Sequence, residues 1–330
     1  MKISKSIFKF LIILTVFILL YITVVTEDKG DEFNFIEISK KFIDNYISRF
    51  VDESNKDSGN LDKGKSHSSA DEYSSNYIYL FDREDKNMEY EKNAKSRAYP
   101  ASLTKIMTTI VALEQIDDLS SVVPIDVETY KKMVDKNSSM AGFYGRELVT
   151  YRDLLYGTIL SSGGEAANSL AVNISGSVES FVSLMNEKAS ELGLKDTNFT
   201  NPEGLDDDNQ YTTAYDMAKL LDYALHNEQF KKIFTTETFK TTSTLDHPDG
   251  IMLESTVLSK LIGVNQEDFE IIGGKSGTTY KAGQCWATLG VKGGQEYILV
   301  VMGAPLEDIS DSDADMMQLD DSIKLYERIN

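Results

Sequence analysis

Apolar and polar residues follow two different periods along the last three quarters of the chain. NYIYLFDRED, from Asn76, predicts a strand, and MEYEKNA after a polar turn predicts a second one. Near the other end, EIIGGKSGTT, QCWATLGVKG and EYILVVMGAP predict three antiparallel strands with turns at 281–283 and 293–294. Strands are therefore expected at both ends of this region.

The residues between these strands have the apolar spacing of helices. SLTKIMTTIVALEQI carries Ile106, Met107, Ile110, Val111 and Leu113, which predicts a largely buried helix. Further helices are predicted over 151–174, 177–192, 213–227 and 311–329. The pattern indicates an α/β fold, in which an antiparallel sheet is sandwiched by helices, a helical subdomain is added, and the two ends of the domain meet.

The N-terminal segment has the pattern of a membrane anchor. Lys2, Lys5 and Lys9 precede FLIILTVFILLYITVVT, an uncharged run at 10–26. Such a run is at the short end of what spans a bilayer, and the lysines predict that residues 1–9 are cytoplasmic and the rest is extracellular. No small-residue cleavage site follows, so we expect a retained single-pass anchor in the cell membrane, with secretion after signal cleavage as the alternative.

Two segments separate this run from the predicted domain. Residues 27–51 contain apolar positions at helical spacing and predict a short amphipathic stalk helix. Residues 52–75 are polar and almost without large apolar side chains, so they predict a flexible tether. The extracellular domain is then expected to occupy 76–330.

Composition narrows the chemistry. The formal net charge of −20 argues against binding to nucleic acid. Cys285 is the single cysteine, which excludes an internal disulfide and a cysteine metal cluster. His226 and His247 lie near no nucleophile-elbow motif, so a Ser-His-Asp hydrolase is disfavoured. No metal or cofactor is expected.

The stretch GGKSGTTYKAG, 273–283, has two interpretations. Gly274-Lys275-Ser276 could end a phosphate-binding loop, but the leading glycine of that motif falls on Phe269. Gly277 and the β-branched Thr278-Thr279 pair also disfavour a helix starting there. The second interpretation, an active-site strand, is preferred.

An active-site strand of this kind requires a nucleophile elsewhere, and Ser102-Leu103-Thr104-Lys105 provides one. Ser102 and Lys105 are three residues apart, so on a helix they share a face and an unprotonated amine can accept the hydroxyl proton. Ser-x-x-Lys alone is weak evidence, because Ser6 and Lys9 form a second copy. Its order with Ser162-Gly163-Gly164 and Lys275-Ser276-Gly277-Thr278 is much stronger.

With these motifs the chain resembles the serine D-alanyl-D-alanine carboxypeptidases, low-molecular-mass penicillin-binding proteins with a β-lactamase/transpeptidase-like fold. The resemblance runs from about Tyr77 to Pro305 and includes YPASLTKIMT, NPEGLDDDNQYTTAYDMAKL and GGKSGTTYKAG. It implies hydrolysis of the terminal D-alanine from peptidoglycan pentapeptides, and binding of β-lactam inhibitors.

The resemblance also implies roles for individual residues. Ser102 would form the acyl-enzyme, Lys105 would be its base, and Ser162 would relay protons. The substrate would be bound by Lys275, Ser276, Gly277 and Thr278: the first two would hold its terminal carboxylate, and the N–H groups of Ser102 and Thr278 would form the oxyanion hole.

Two positions depart from the family pattern. Ser276 stands for a threonine and keeps the hydroxyl, whereas Gly164 stands for the asparagine of Ser-x-Asn. The alternatives are a class A-like β-lactamase, with Glu165 or Glu203 as the deacylating base, and a catalytically weak penicillin-binding or cell-wall-binding scaffold.

Overall fold

The structure, a computed structural model, describes residues 73–306 and 316–329. The predicted anchor at 10–26, the stalk helix at 27–51 and nearly all of the tether at 52–75 lie outside the described residues. Among the residues that are described, no helix is both long and apolar enough to cross a bilayer.

Five antiparallel strands form the central sheet, in the order β2-β1-β9-β8-β7. The N-terminal strands therefore join the C-terminal ones, as the sequence predicted. Two small ribbons, β3-β4 and β5-β6, are added at the side. The strands are β1 Tyr77–Asp82, β2 Met88–Lys92, β3 Val122–Pro124, β4 Leu148–Thr150, β5 Thr238–Lys240, β6 Met252–Glu254, β7 Phe269–Thr279, β8 Gly283–Lys292 and β9 Gln295–Ala304.

The turn between β8 and β9 has the two-residue form that the sequence predicted. Lys292 pairs with Gln295, and Gly293 and Gly294 have φ of +60° and +85°. Two successive positive φ values match the right-handed twist of the strands, and glycine adopts them without steric cost. This turn fixes the register of the two central strands.

Helices make up the rest of the described domain. Two short 3₁₀ helices, Ala101–Leu103 and Leu258–Leu261, accompany the longer ones. The α-helices are α1 Thr104–Gln115, α2 Val127–Asp135, α3 Tyr151–Ile159, α4 Gly164–Ser175, α5 Val178–Glu191, α6 Ala214–Ala224, α7 Glu228–Phe234 and α8 Met317–Arg328.

The sheet separates two apolar cores because its central strands alternate between them. In β9, Ile298, Val300 and Met302 face the larger core with α1 to α7, and Leu299 and Val301 face the smaller core. Helix α8 packs on β8 and β9 and contributes to the smaller core, whereas α6 packs on β1 and β9. This confirms the predicted sheet between helices. The helical subdomain surrounds α1, which contacts α3, α4, α5 and α6.

The ends of the domain differ slightly from the prediction. Tyr73 is 5% exposed and Ser75 is fully buried, so packed residues lie before the predicted boundary at 76. Helix α8 begins at Met317, whereas the pattern predicted a helix from 311; residues 307–315 lie outside the described residues. Asp321 Oδ1 and Oδ2 accept hydrogen bonds from the N–H groups of Ser74 (3.1 Å) and Ser75 (2.6 Å).

Two short helices, α2 and α7, were not predicted from the sequence pattern. Each begins at a residue whose side chain caps it: Asp126 accepts from Thr129 N, and Asn227 accepts from Gln229 N and Phe230 N. Such caps are a local signal for a helix start. The apolar faces of α2 and α7 are short, so the periodicity of apolar residues alone does not predict these helices.

We predict that Asp321→Asn lowers the free energy of unfolding by about 1–3 kcal/mol, because the buried N–H of Ser75 and the N–H of Ser74, whose hydrogen bond is partly buried, lose a carboxylate acceptor. The measurement is urea denaturation of both variants and the wild type. Asp320→Asn, an exposed neighbour on α8, is the matched control and should change stability little. Equal losses of stability in the two variants would contradict a stabilising contact between Asp321 and the backbone of Ser74 and Ser75.

Candidate active site

Ser102 lies on a tight turn at the start of α1. It belongs to the 3₁₀ helix Ala101–Leu103, and Ala101 before it has a φ of +47°, which is uncommon for a residue with a side chain. Gly204 lies behind this turn: a Cβ placed on it would be 2.0 Å from the Ala101 carbonyl oxygen. The close approach requires glycine there and fixes the backbone that carries Ser102.

Lys105 lies one helical turn after Ser102 and faces it. Its side chain is buried, with 1% of the residue exposed. Nζ donates to Ser102 Oγ at 3.0 Å and to the carbonyl oxygen of Glu203 at 2.5 Å. Burial lowers the pKa of Lys105 to about 8, although the carboxylates of Glu203 and Glu165 act in the opposite direction. The unprotonated amine that a general base requires is therefore far more populated near neutral pH than in an ordinary lysine.

The predicted Lys-Ser-Gly strand is β7, the edge strand beside Ser102. A Cβ on Gly277 would lie 2.9 Å from Ser102 N, so glycine lets the strand approach the serine turn. Lys275 is fully buried, and its Nζ donates to the Ser276 carbonyl at 2.8 Å. Burial, reinforced by nearby Lys105, holds the pKa of Lys275 well below its usual value.

The hydroxyl of Ser276 has a partner that the sequence analysis missed. Ser276 Oγ and Thr256 Oγ1 are 2.7 Å apart, so two partly exposed hydroxyls lie together at this point of β7. Thr256 comes from the loop after β6, and no local motif marks it. Only the tertiary structure brings it to the site.

The end of β7 is hydrogen-bonded to the loop that contains Gly204-Leu205-Asp206. Asp206 Oδ1 accepts a hydrogen bond from Thr279 Oγ1 at 2.6 Å. Asp206 Oδ2 accepts from Lys281 N at 3.3 Å. Thr278 is the residue before this contact, so Asp206 helps to fix the backbone whose N–H the sequence assigned to the oxyanion hole.

Ser162 occupies the turn between α3 and α4, both of which contact α1. It is 5% exposed and has a φ of +58°. Gly163 N donates to the Gly157 carbonyl at 2.9 Å, which closes the turn. A non-glycine residue held in the left-handed region stores strain, and such strain is often found at functional turns.

An asparagine at Gly164, as in the Ser-x-Asn motif, would need the side chains of Ser138 and Met133 to move. A Cβ on it would lie 2.5 Å from Ser138 Oγ and 3.0 Å from Met133 Sδ. Ser138 follows α2, and Met133 is buried within that helix. The loop after α2 therefore fills the space into which a side chain at 164 would project.

The two glutamates considered for a β-lactamase mechanism are both bound to the protein. Glu165 Oε1 accepts from Ala141 N at 2.7 Å and Gly142 N at 3.0 Å, and burial raises the pKa of this carboxyl. Glu203 Oε2 accepts from Asn168 Nδ2 at 3.1 Å. These contacts favour structural roles over activation of a deacylating water.

The remaining candidate residues lie away from the serine. His247 Nδ1 is 2.9 Å from Glu147 Oε1, and His226 Nδ1 is 2.7 Å from the Asp222 carbonyl. Cys285 is buried in the core, and burial raises the pKa of its thiol to about 12. None of these three groups contacts Ser102.

The five-stranded sheet between helices, the helical subdomain and the serine–lysine pair beside the edge strand are those of the penicillin-binding fold. A profile of one family, described as D-alanyl-D-alanine carboxypeptidase (peptidase S11), matches residues 64–306. The chain belongs to this family, as the sequence motifs predicted.

Individual relatives agree with this assignment. D-alanyl-D-alanine carboxypeptidase DacF of Bacillus subtilis is 33% identical over 225 residues, which cover 68% of this chain and 56% of the relative. The D-alanyl-D-alanine carboxypeptidase of Streptomyces sp. strain K15 is 32% identical over 237 residues, covering 68% of this chain and 79% of the relative. The chain thus spans just over half the length of DacF.

Solved structures show the same architecture. The crystal structure of the Streptomyces K15 DD-transpeptidase superposes with a TM-score of 0.67 at 26% identity. The superposition covers 81% of this chain and 98% of that one. The predicted fold class is therefore confirmed.

Gly164→Asn would restore the sequence of the Ser-x-Asn motif. We predict that it lowers the free energy of unfolding by about 1–3 kcal/mol, because the new side chain overpacks this region. In a Ser138→Gly background the same change should cost less, because the nearest obstacle is absent. Thermal or urea denaturation of the single and double variants measures this coupling. Equal costs in the two backgrounds would show that Ser138 does not limit position 164.

Proposed function

We propose that this protein is a serine-type D-alanyl-D-alanine carboxypeptidase that removes the terminal D-alanine from peptidoglycan stem peptides and binds β-lactams. The proposal rests mainly on the 3.0 Å contact between Lys105 Nζ and Ser102 Oγ beside the Lys-Ser-Gly edge strand. Membership of the family supports the choice of substrate.

Acylation follows from the geometry of this pair. Unprotonated Lys105 accepts the hydroxyl proton as Ser102 Oγ attacks the carbonyl carbon between the two D-alanines. The developing oxyanion is stabilised by the N–H groups of Ser102 and Thr278. The contact of Gly277 with Ser102 N supports this step, since it keeps strand and serine turn close together.

Collapse of the tetrahedral intermediate breaks the peptide bond, and the leaving D-alanine nitrogen receives a proton through Ser162. Water then attacks the acyl-enzyme. Its proton passes through Ser162 and Lys105 to Ser102 Oγ as the ester bond breaks, and the shortened peptide is released. The turn that holds Ser162 at a positive φ supports a fixed position for this hydroxyl.

The substrate's terminal carboxylate is bound by Lys275 and Ser276. The buried amine of Lys275 supplies positive charge when it is protonated in the complex, and a carboxylate beside it favours that form. The partly exposed hydroxyl pair of Ser276 and Thr256 supplies donors at the same point of β7.

We predict that the full-length protein releases D-alanine from an N-acylated peptide ending in D-alanyl-D-alanine and is labelled covalently by a fluorescent penicillin. Ser102→Ala should abolish both, because the nucleophile is lost. Ser6→Ala, in the other Ser-x-x-Lys copy, is the matched control and should keep both activities.

Labelling of Ser102→Ala at the wild-type level would rule out the serine mechanism. Labelling of the wild type without release of D-alanine would support the penicillin-binding scaffold instead of the carboxypeptidase.

We also propose that residues 10–26 hold the domain at the outer face of the cell membrane, with residues 27–75 as stalk and tether. The support is the uncharged run preceded by Lys2, Lys5 and Lys9. A substrate in the cell wall agrees with this placement.

We predict that full-length protein stays in a salt-washed membrane fraction, whereas a variant lacking residues 1–26 is recovered in the soluble fraction. Immunoblotting of fractions and N-terminal sequencing measure this. A mature wild-type form that begins after residue 26 and is found in the medium would contradict a retained anchor.

A further inference from the structure

The carbonyl group of Glu203 is one of two groups that hold the Lys105 amine. Lys105 Nζ donates to this oxygen at 2.5 Å and to Ser102 Oγ at 3.0 Å. The direction of the amine therefore depends on where the 201–204 loop places one backbone oxygen. A shift of that oxygen would move the base relative to the nucleophile.

The Glu203 side chain is attached to a different element, helix α4. Its Oε2 accepts a hydrogen bond from Asn168 Nδ2 at 3.1 Å, and the same Asn168 nitrogen donates to the Gly164 carbonyl at 2.9 Å. Glu203 is 4% exposed and Asn168 is 3% exposed. The buried Asn168 amide thus connects the Ser162-Gly163-Gly164 motif to the 201–204 loop, whose Glu203 carbonyl accepts a hydrogen bond from Lys105.

The backbone next to Glu203 is already tied to α1. Thr108 Oγ1, on the helix that carries Lys105, donates to the Pro202 carbonyl at 2.7 Å. Gly204 on the other side has a φ of +89° and packs on the Ala101 carbonyl. Helix α1 thus holds one side of the 201–204 loop. The Asn168 hydrogen bond connects the same loop to the Ser162-Gly163-Gly164 motif.

We propose that Asn168 and Glu203 form a positioning pair for Lys105: their hydrogen bond fixes the Glu203 carbonyl that directs the lysine amine toward Ser102. The pair connects the Ser162-Gly163-Gly164 motif to Lys105. Gly164 has no side chain that could make this connection itself. This inference rests on the proposed function, since it assigns Lys105 the role of base.

The charge of Glu203 gives the pair a measurable signature. Glu203, Glu165 and Lys275 are the charged groups that face the Lys105 amine among the described residues. The Glu203 carboxylate favours the protonated amine. Glu203→Gln keeps an oxygen for the Asn168 amide but removes the charge, so it should move the pKa of Lys105 to a lower value.

The first experiment measures the Lys105 titration directly, without catalysis. Lysine labelled with ¹³C at Cε is followed by NMR against pH in the full chain, and Lys105→Arg assigns the signal. Glu203→Gln should shift the Lys105 midpoint to lower pH, whereas Glu147→Gln, at another buried carboxylate, should not. An unchanged Lys105 midpoint in Glu203→Gln would overturn the proposal.

The second experiment measures acylation by a fluorescent penicillin at pH 8. Asn168→Ala should slow acylation about 10- to 100-fold, because small displacements of a catalytic group cost rate steeply. Asn173→Ala is the matched control on the same helix. Its amide also makes two hydrogen bonds, to the carbonyls of Pro124 (2.9 Å) and Ser169 (2.7 Å), but these lie outside the site.

A reversed pair separates positioning from general loss of stability. Asn168→Asp alone places two carboxylates against each other. Asn168→Asp with Glu203→Gln restores a carboxylate–amide hydrogen bond between the two side chains, but not the hydrogen bond to the Gly164 carbonyl, so recovery should be partial. The double variant should acylate faster than Asn168→Asp. The proposal would be overturned if Asn168→Ala and Asn168→Asp were acylated at the wild-type rate. It would also be overturned if the double variant were acylated no faster than Asn168→Asp.

Failure of the proposed function has a different result. If wild-type protein is neither acylated nor releases D-alanine, the carboxypeptidase assignment fails. The NMR titrations still report whether Glu203 controls the Lys105 amine.

Discussion

The burial of the Lys105 amine between Ser102 Oγ and the Glu203 carbonyl is the interaction on which the site depends. Desolvation disfavours the charged ammonium and lowers the pKa of Lys105 to about 8, which favours the unprotonated amine that the proposed base role requires. Burial, reinforced by the nearby Lys105, in turn holds the pKa of the fully buried Lys275 well below its usual value, so two positive charges are disfavoured in the same space. Opening this region to water would restore an ordinary lysine, and with it an unactivated serine.

Burial of this kind needs several chain segments at close range, and the glycines permit it. Gly204 packs against the Ala101 carbonyl, and Gly277 packs against Ser102 N. The alternation of β8 and β9 between two cores holds the sheet, while β7 remains at its edge beside the serine. The proposed chemistry is therefore assembled from a helix start, an edge strand and two loops.

Much of this could be predicted from the sequence. Two-residue and helical periods predicted the central strands and the long helices, and the motif order predicted the family, which the comparisons confirmed. The spacing of Ser102 and Lys105 predicted their contact, because three residues span one helical turn. The roles of Ser162 and Thr278 stay predictions. The contacts of Thr256 with Ser276, and of Ser138 with the space beside Gly164, join residues far apart in sequence, so no local pattern contains them.

The pH dependence of acylation tests the central claim most directly. The rate of covalent labelling by a penicillin is measured under single-turnover conditions between pH 6 and pH 10, within the range where the wild-type protein remains folded. Because the proposed base is the unprotonated amine of Lys105, the rate should rise with pH through a midpoint of about 8. A rate that is constant over this range, or that falls as pH rises through it, would contradict an unprotonated Lys105 as the base.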